Sequence, residues 1–112
     1  MRQEVANALL DTGATASGVS SPLVAALQLK PYQRKPLIVA TEQRIVNYFA
    51  LRIGIFCDQD EHASGPMPYI FDEISGFEIS SNDAFDVILG MDVLSQTDFS
   101  MFRGGRWTLS FG

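Results

Sequence analysis

The sequence predicts a mainly β domain carrying one or two short helices, and three observations lead there. Turn-forming residues interrupt the apolar runs at short intervals, which suits strands better than long helices. The segment 106–111 alternates Trp107, Leu109 and Phe111 with Arg106, Thr108 and Ser110, so one face of a strand is apolar and the other polar. Finally, Asp86-Val87-Ile88-Leu89-Gly90 reads as a short buried strand stopped by glycine. A hydrophobic content of 46% in 112 residues supports one folded core and one domain, residues 1–112.

Taken in order, residues 5–10 read as a strand running into the turn Asp11-Thr12-Gly13-Ala14. Ser21-Pro22-Leu23-Val24-Ala25-Ala26-Leu27 predicts a short helix with Ser21 as N-cap and Pro22 at N1, where a missing N–H costs nothing. Its apolar side is expected on the sheet. Residues 36–41 and 44–56 are two apolar-rich stretches around Glu42-Gln43, the pattern of a long hairpin. Gly65-Pro66-Met67-Pro68 marks a loop, followed by weaker strands at 69–71 and 77–79. After the strand ending at Gly90, Asp92 reads as the N-cap of a short helix. Residues 98–102 and 106–111 flank Gly104-Gly105, a pair suited to the positive φ angles of a tight hairpin turn.

Charge and composition narrow the function. A formal charge of −5 disfavours nucleic acid as a partner, because such binding rests on Lys and Arg neutralising phosphates. No apolar run approaches the roughly 20 residues that a membrane-spanning helix needs, and the first residues lack the apolar stretch of a secretory signal. Cys57 and His62 are the only residues of their kinds, so a disulfide or a Cys/His zinc site within one chain is excluded. The lone cysteine fits a reducing, cytoplasmic setting. Cys57 ends an apolar run and reads as a packing residue rather than a nucleophile, which would need an electropositive site. The carboxylates around Asp58, Asp60, Glu61, Asp72, Glu73, Glu78 and Asp83 lack the spacing of a calcium loop and read as a solvated face. The sequence calls for no metal and no cofactor.

Two motifs carry the functional signal. Leu9-Leu10-Asp11-Thr12-Gly13-Ala14 occurs early and Ile88-Leu89-Gly90-Met91-Asp92-Val93-Leu94 late. A lone Asp-Thr-Gly is also an ordinary turn, since Asp accepts local backbone hydrogen bonds and Gly tolerates positive φ. Together the two motifs resemble the retropepsin-like aspartic protease family, closer to its cellular and bacterial branches than to its viral ones. The resemblance implies a small acid-protease β-barrel and a hairpin flap, at residues 36–56, over a substrate cleft. It also implies a homodimer, because the chain holds one Asp-Thr-Gly where an active site needs two.

In that family two facing carboxylates share a proton; one acts as base toward water while the other donates to the scissile carbonyl of a peptide or protein substrate. The resemblance makes Asp11 the catalytic residue of such a peptidase. Thr12 would hydrogen-bond across the two-fold axis, Gly13 would let the backbone come close, and Ala14 would keep the surroundings small. Ile88, Leu89 and Gly90 would support the turn from below. Each has a plainer role open to it: Thr12 and Gly13 as turn formers, Ile88 and Leu89 as core. The chain departs from the family at two points: only ten residues precede Asp11, so the N-terminal strand reads as shortened or missing, and Glu42-Gln43 puts no glycine at the flap tip. A non-catalytic peptide-binding or assembly domain on the same fold is the alternative function, and an unrelated β-barrel with a chance motif the third.

Overall fold

The computed structural model describes residues 2–39, 42–56 and 68–110. The expected loop at 65–68 up to Met67, the cluster of Asp58, Asp60 and Glu61, and Cys57, His62 and Phe111 lie outside them. The fold is mainly β with two short helices, and its main sheet curls into a half-barrel. The strands are β1 (Ala8–Leu10), β2 (Gly18–Ser20), β3 (Gln33–Val39), β4 (Glu42–Phe56), β5 (Pro68–Ile79), β6 (Val87–Leu89), β7 (Asp98–Met101) and β8 (Trp107–Ser110). Helix α1 is Ser21–Ala26 and α2 is Met91–Leu94. Six strands form one sheet in the order β1-β6-β2-β5-β4-β3, and β7 and β8 form a separate hairpin.

The order places β6 between β1 and β2. Ile88 is partnered by Leu9 on the parallel side and by Gly18 on the antiparallel side. The chain linking β1 to β2, residues 11–17, must therefore arch past the end of β6, and that arch carries the Asp-Thr-Gly turn. Strand β2 was not expected from the sequence. Gly18 is closely packed there: a Cβ would lie 3.0–3.2 Å from the side chains of Ile79 and Phe77, which would have to give way.

Beneath the sheet, Phe71, Ile74, Leu89 and Val93 form a buried cluster, with Leu10, Leu51, Ile53, Ile55 and Val87 packed against it. Each fully buried side chain of this kind contributes roughly 1.5–3 kcal/mol. A helix as short as α2 has no stability of its own. It is held because Val93 and Leu94 are buried.

Several elements differ from the sequence reading, for identifiable reasons. Strand β1 covers only residues 8–10, because three residues of β6 are all it has to pair with. Leu9 stays 41% exposed and Leu10 half-buried, since β1 is a sheet edge. Glu42 and Gln43 are not the hairpin tip; they lie in β4 opposite Val39 and Ile38. Residues 69–71 and 77–79 belong to one long strand, β5. Between the partners Leu51↔Ile74 and Ile53↔Phe71, β5 holds one residue more than β4, and Glu73 there takes φ 58°. This bulge buries both Phe71 and Ile74, a spacing of three that hides the strand's period of two.

Both helix starts lie one or two residues from their expected caps. Ser20 precedes α1, and the Ser21 hydroxyl donates to the Ile79 carbonyl at 3.2 Å instead. Gly90, not Asp92, precedes α2. The end of α1 is a Schellman motif: Gln28 N–H donates to Ala25 and Leu29 N–H to Val24, both at 3.1 Å, with Gln28 at φ 52°. Gly104 and Gly105 turn the β7–β8 hairpin with φ 91° and 87°, angles that L side chains avoid.

Candidate active site

Asp11 leaves β1 at the start of the arch and is half-buried. Its N–H donates to the Leu89 carbonyl at 3.0 Å, which ties it to β6. Its Oδ1 accepts the Gly13 N–H at 2.9 Å, and its own carbonyl accepts the Ala14 N–H at 3.2 Å. The carboxylate thus sits on a turn of its own making. A Cβ on Gly13 would lie 3.3 Å from Asp11 Oδ1. Close approach to the carboxylate is what glycine serves here; positive φ among the described glycines belongs to Gly104 and Gly105. Thr12 and Gly13 are exposed at the apex, and Ala14 is half-buried.

The other half of the site is the β6–α2 junction. Leu89 is buried and Ile88 half-buried within β6. Gly90 packs directly against the arch: a Cβ there would lie 2.6 Å from the Ala16 carbonyl oxygen and 2.9 Å from that of Ala14. The Met91 N–H donates to the Ala14 carbonyl at 2.7 Å. The structure therefore gathers Asp11, Gly13, Ala14, Leu89 and Gly90 into one contact set, with Ile88 inside the sheet and Thr12 facing outward.

Two residues that the sequence reading did not single out for the site, Ser17 and Asp92, complete this junction. Ser17 is fully buried. Its N–H donates to Asp92 Oδ2 at 2.9 Å and its hydroxyl to Asp92 Oδ1 at 2.7 Å. The hydroxyl oxygen accepts the Gly90 N–H at 3.1 Å, while the Ser17 carbonyl accepts the Phe77 N–H at 3.1 Å. The one local signal was a carboxylate just after Gly90, which reads equally well as a helix cap.

Beside the arch opens a cavity of about 500 Å³ lined by Thr15, Ala16, Lys35, Tyr48, Ile74 and Asp92, among others. Lys35 Nζ lies 4.3 Å from the centre of the Tyr48 ring. Burial pushes the Tyr48 phenol above its ordinary value, and the charge of a nearby Tyr32 phenolate adds to the rise. Tyr32 in turn shares a hydrogen bond with Ser75 at the same wall. Among the described residues, no group of His, Cys, Asp and Glu side chains is gathered to hold a metal ion. None of the described helices is long and apolar enough to cross a membrane.

The site is thus a half-buried aspartate on a self-bonded turn, backed by a strand-glycine-helix junction. Comparison with known proteins bears on it directly. A family model described as retroviral aspartyl protease matches residues 2–102. No curated protein and no solved structure gives a significant match. With nearly its whole length matched and a mainly β, half-barrel fold, the chain belongs to the retroviral aspartyl protease family.

Proposed function

We propose that this chain is an aspartic endopeptidase that works as a symmetric homodimer, with Asp11 of each copy on either side of the two-fold axis. The observation that carries the reading is the single Asp11 turn, half-buried and anchored to Leu89, in a chain with no second Asp-Thr-Gly. One carboxylate lacks the partner with which to share a proton, and symmetry supplies it. With one proton between them, the ionised Asp11 takes a proton from water as its oxygen attacks the peptide carbonyl. The protonated Asp11 donates to the carbonyl oxygen, giving a tetrahedral intermediate. The amine leaves with a proton returned from the pair. The cavity beside the arch offers room for side chains of a bound peptide, and the β3–β4 hairpin supplies two of its lining residues, Lys35 and Tyr48.

Sedimentation of the purified chain, together with cleavage of a mixed peptide library by the chain and by Asp11→Asn, tests this. A dimer whose cleavage is lost in the folded Asn variant is the expected result. Cleavage by a strict monomer would overturn the shared site. A dimer that binds peptides without cutting them at any pH would make the chain a peptide-binding domain on the protease fold.

A further inference from the structure

Asp11 is anchored at the start of the arch by Leu89, and the far end of residues 11–17, beyond the exposed apex of Thr12 and Gly13, has anchors of its own. There the hydrogen bonds converge on Asp92. Oδ2 accepts the Ser17 N–H at 2.9 Å; Oδ1 accepts the Ser17 hydroxyl at 2.7 Å and the Val93 N–H at 2.9 Å. The Ser17 hydroxyl oxygen accepts the Gly90 N–H, and Gly90 follows Leu89, whose carbonyl holds Asp11. A closed circuit therefore runs from Asp11 through Leu89, Gly90, Ser17 and Asp92 to the other end of the same arch.

We propose that Asp92, through its two carboxylate oxygens, is the positioning residue for Asp11 in the reaction proposed above. What the circuit requires of residue 92 is two acceptors, because each oxygen faces a backbone N–H. An asparagine in its place is nearly the same size but offers one acceptor and one donor. Turned one way, its amide points at the Ser17 N–H; turned the other, at the Val93 N–H. Val93 has a second acceptor in the Gly90 carbonyl at 3.1 Å, so the second orientation is the less costly. It still leaves the buried Ser17 hydroxyl proton facing an amide donor, and a buried donor without an acceptor costs about 1–3 kcal/mol in general. Although Asp92 lines the cavity beside Lys35 and Tyr48, both its oxygens are engaged by its own chain. Its loss should therefore disturb the placement of Asp11 rather than the affinity for peptide.

The experiment compares the wild-type dimer with Asp92→Asn and Ser17→Ala by peptide kinetics and by amide hydrogen exchange, at concentrations where sedimentation shows dimer. Asp92→Asn is expected to lower kcat about 100-fold, the scale of a misplaced reacting group, with KM changed by less than about threefold. Ser17→Ala removes both the donor to Asp92 Oδ1 and the acceptor of the Gly90 N–H and should lower kcat by about tenfold; it serves if the Asn variant does not fold. In both, the amide of Gly90, whose acceptor is the Ser17 hydroxyl, should exchange at least tenfold faster while those pairing β4 with β5 keep their protection. Unchanged kcat per folded dimer, a raised KM with kcat intact, or faster exchange throughout the chain would overturn the proposal. If the wild-type chain cleaves nothing, the protease reading fails on its own, and exchange alone decides: an unchanged Gly90 amide would refute the circuit.

Discussion

Gly90 and Ala16, far apart in sequence, are pressed together so closely that a Cβ on Gly90 would lie 2.6 Å from the Ala16 carbonyl oxygen and 2.7 Å from its carbon. The obstructing atoms are backbone, so no rotamer change can make room. Gly90→Ala should destabilise the fold by about 1–3 kcal/mol, the usual cost of overpacking. Chemical denaturation would measure it. A midpoint equal to that of the wild type would mean that the arch yields more easily than its contacts imply.

The opposite sign is expected at Gln28. It closes the Schellman motif after α1 with φ 52°, a conformation in which glycine carries no Cβ penalty. Its side chain is exposed, so Gln28→Gly should stabilise by about 1 kcal/mol, read as a raised denaturation midpoint. A lower midpoint would show that the glutamine side chain contributes more than its backbone strain costs.

Asp11-Thr12-Gly13 and Ile88-Leu89-Gly90 could be read because each motif is local: a turn with its own hydrogen bond, and an apolar run ended by glycine. Gly104-Gly105 was readable for the same reason, since the turn chemistry is contained in the pair. Strand β2 was not, because Gly18-Val19-Ser20 carries almost no apolar signal and is buried only through its place between β6 and β5. In β5 the bulge at Glu73 broke the alternation. The Ser17–Asp92 contact joins residues 75 apart, and no local pattern announces such a pair; Asp92 had an ordinary local role available as a cap.

Tyr48 supplies a test by pH. Its phenol is raised above 10.0, first by burial and then by the charge of Tyr32, so folding favours the protonated ring. The stabilisation is complete below the unfolded tyrosine value and is lost as pH climbs through the raised folded one. Stability should accordingly fall as pH rises above the ordinary tyrosine value of about 10, and fall less in Tyr48→Phe, which has no proton to lose. Denaturation midpoints measured across this range would check it. Parallel declines in the two proteins would place the alkaline loss elsewhere.

The β7–β8 hairpin is the expected contact for part of the proposed dimer. Trp107 lies opposite Met101, and they are 52% and 72% exposed. Leu109 shares the face of Trp107 and is half-buried. Adjacent exposed apolar side chains of this size mark an interaction surface. Trp107→Glu should weaken self-association by at least about tenfold, or 1.4 kcal/mol, in sedimentation equilibrium. Unchanged association would remove this hairpin from the interface.

Asp11 is best tested through the shape of its pH dependence. If two copies share one proton, only the singly protonated pair is active, since water needs a base and the scissile carbonyl needs an acid. The cleavage rate should then rise and fall with pH, with the maximum on the acidic side of neutrality, between two apparent titrations that belong to the pair rather than to either residue. Asp11→Asn keeps the side chain's size and an oxygen to accept the Gly13 N–H, so the fold should survive while cleavage disappears. Mixing wild-type and Asn chains adds a quantitative check. Heterodimers hold one carboxylate, so with random assortment activity should follow the square of the wild-type fraction. A linear dependence would mean that each chain cuts alone, and the single Asp11 would then be working without the second carboxylate that the symmetric site requires.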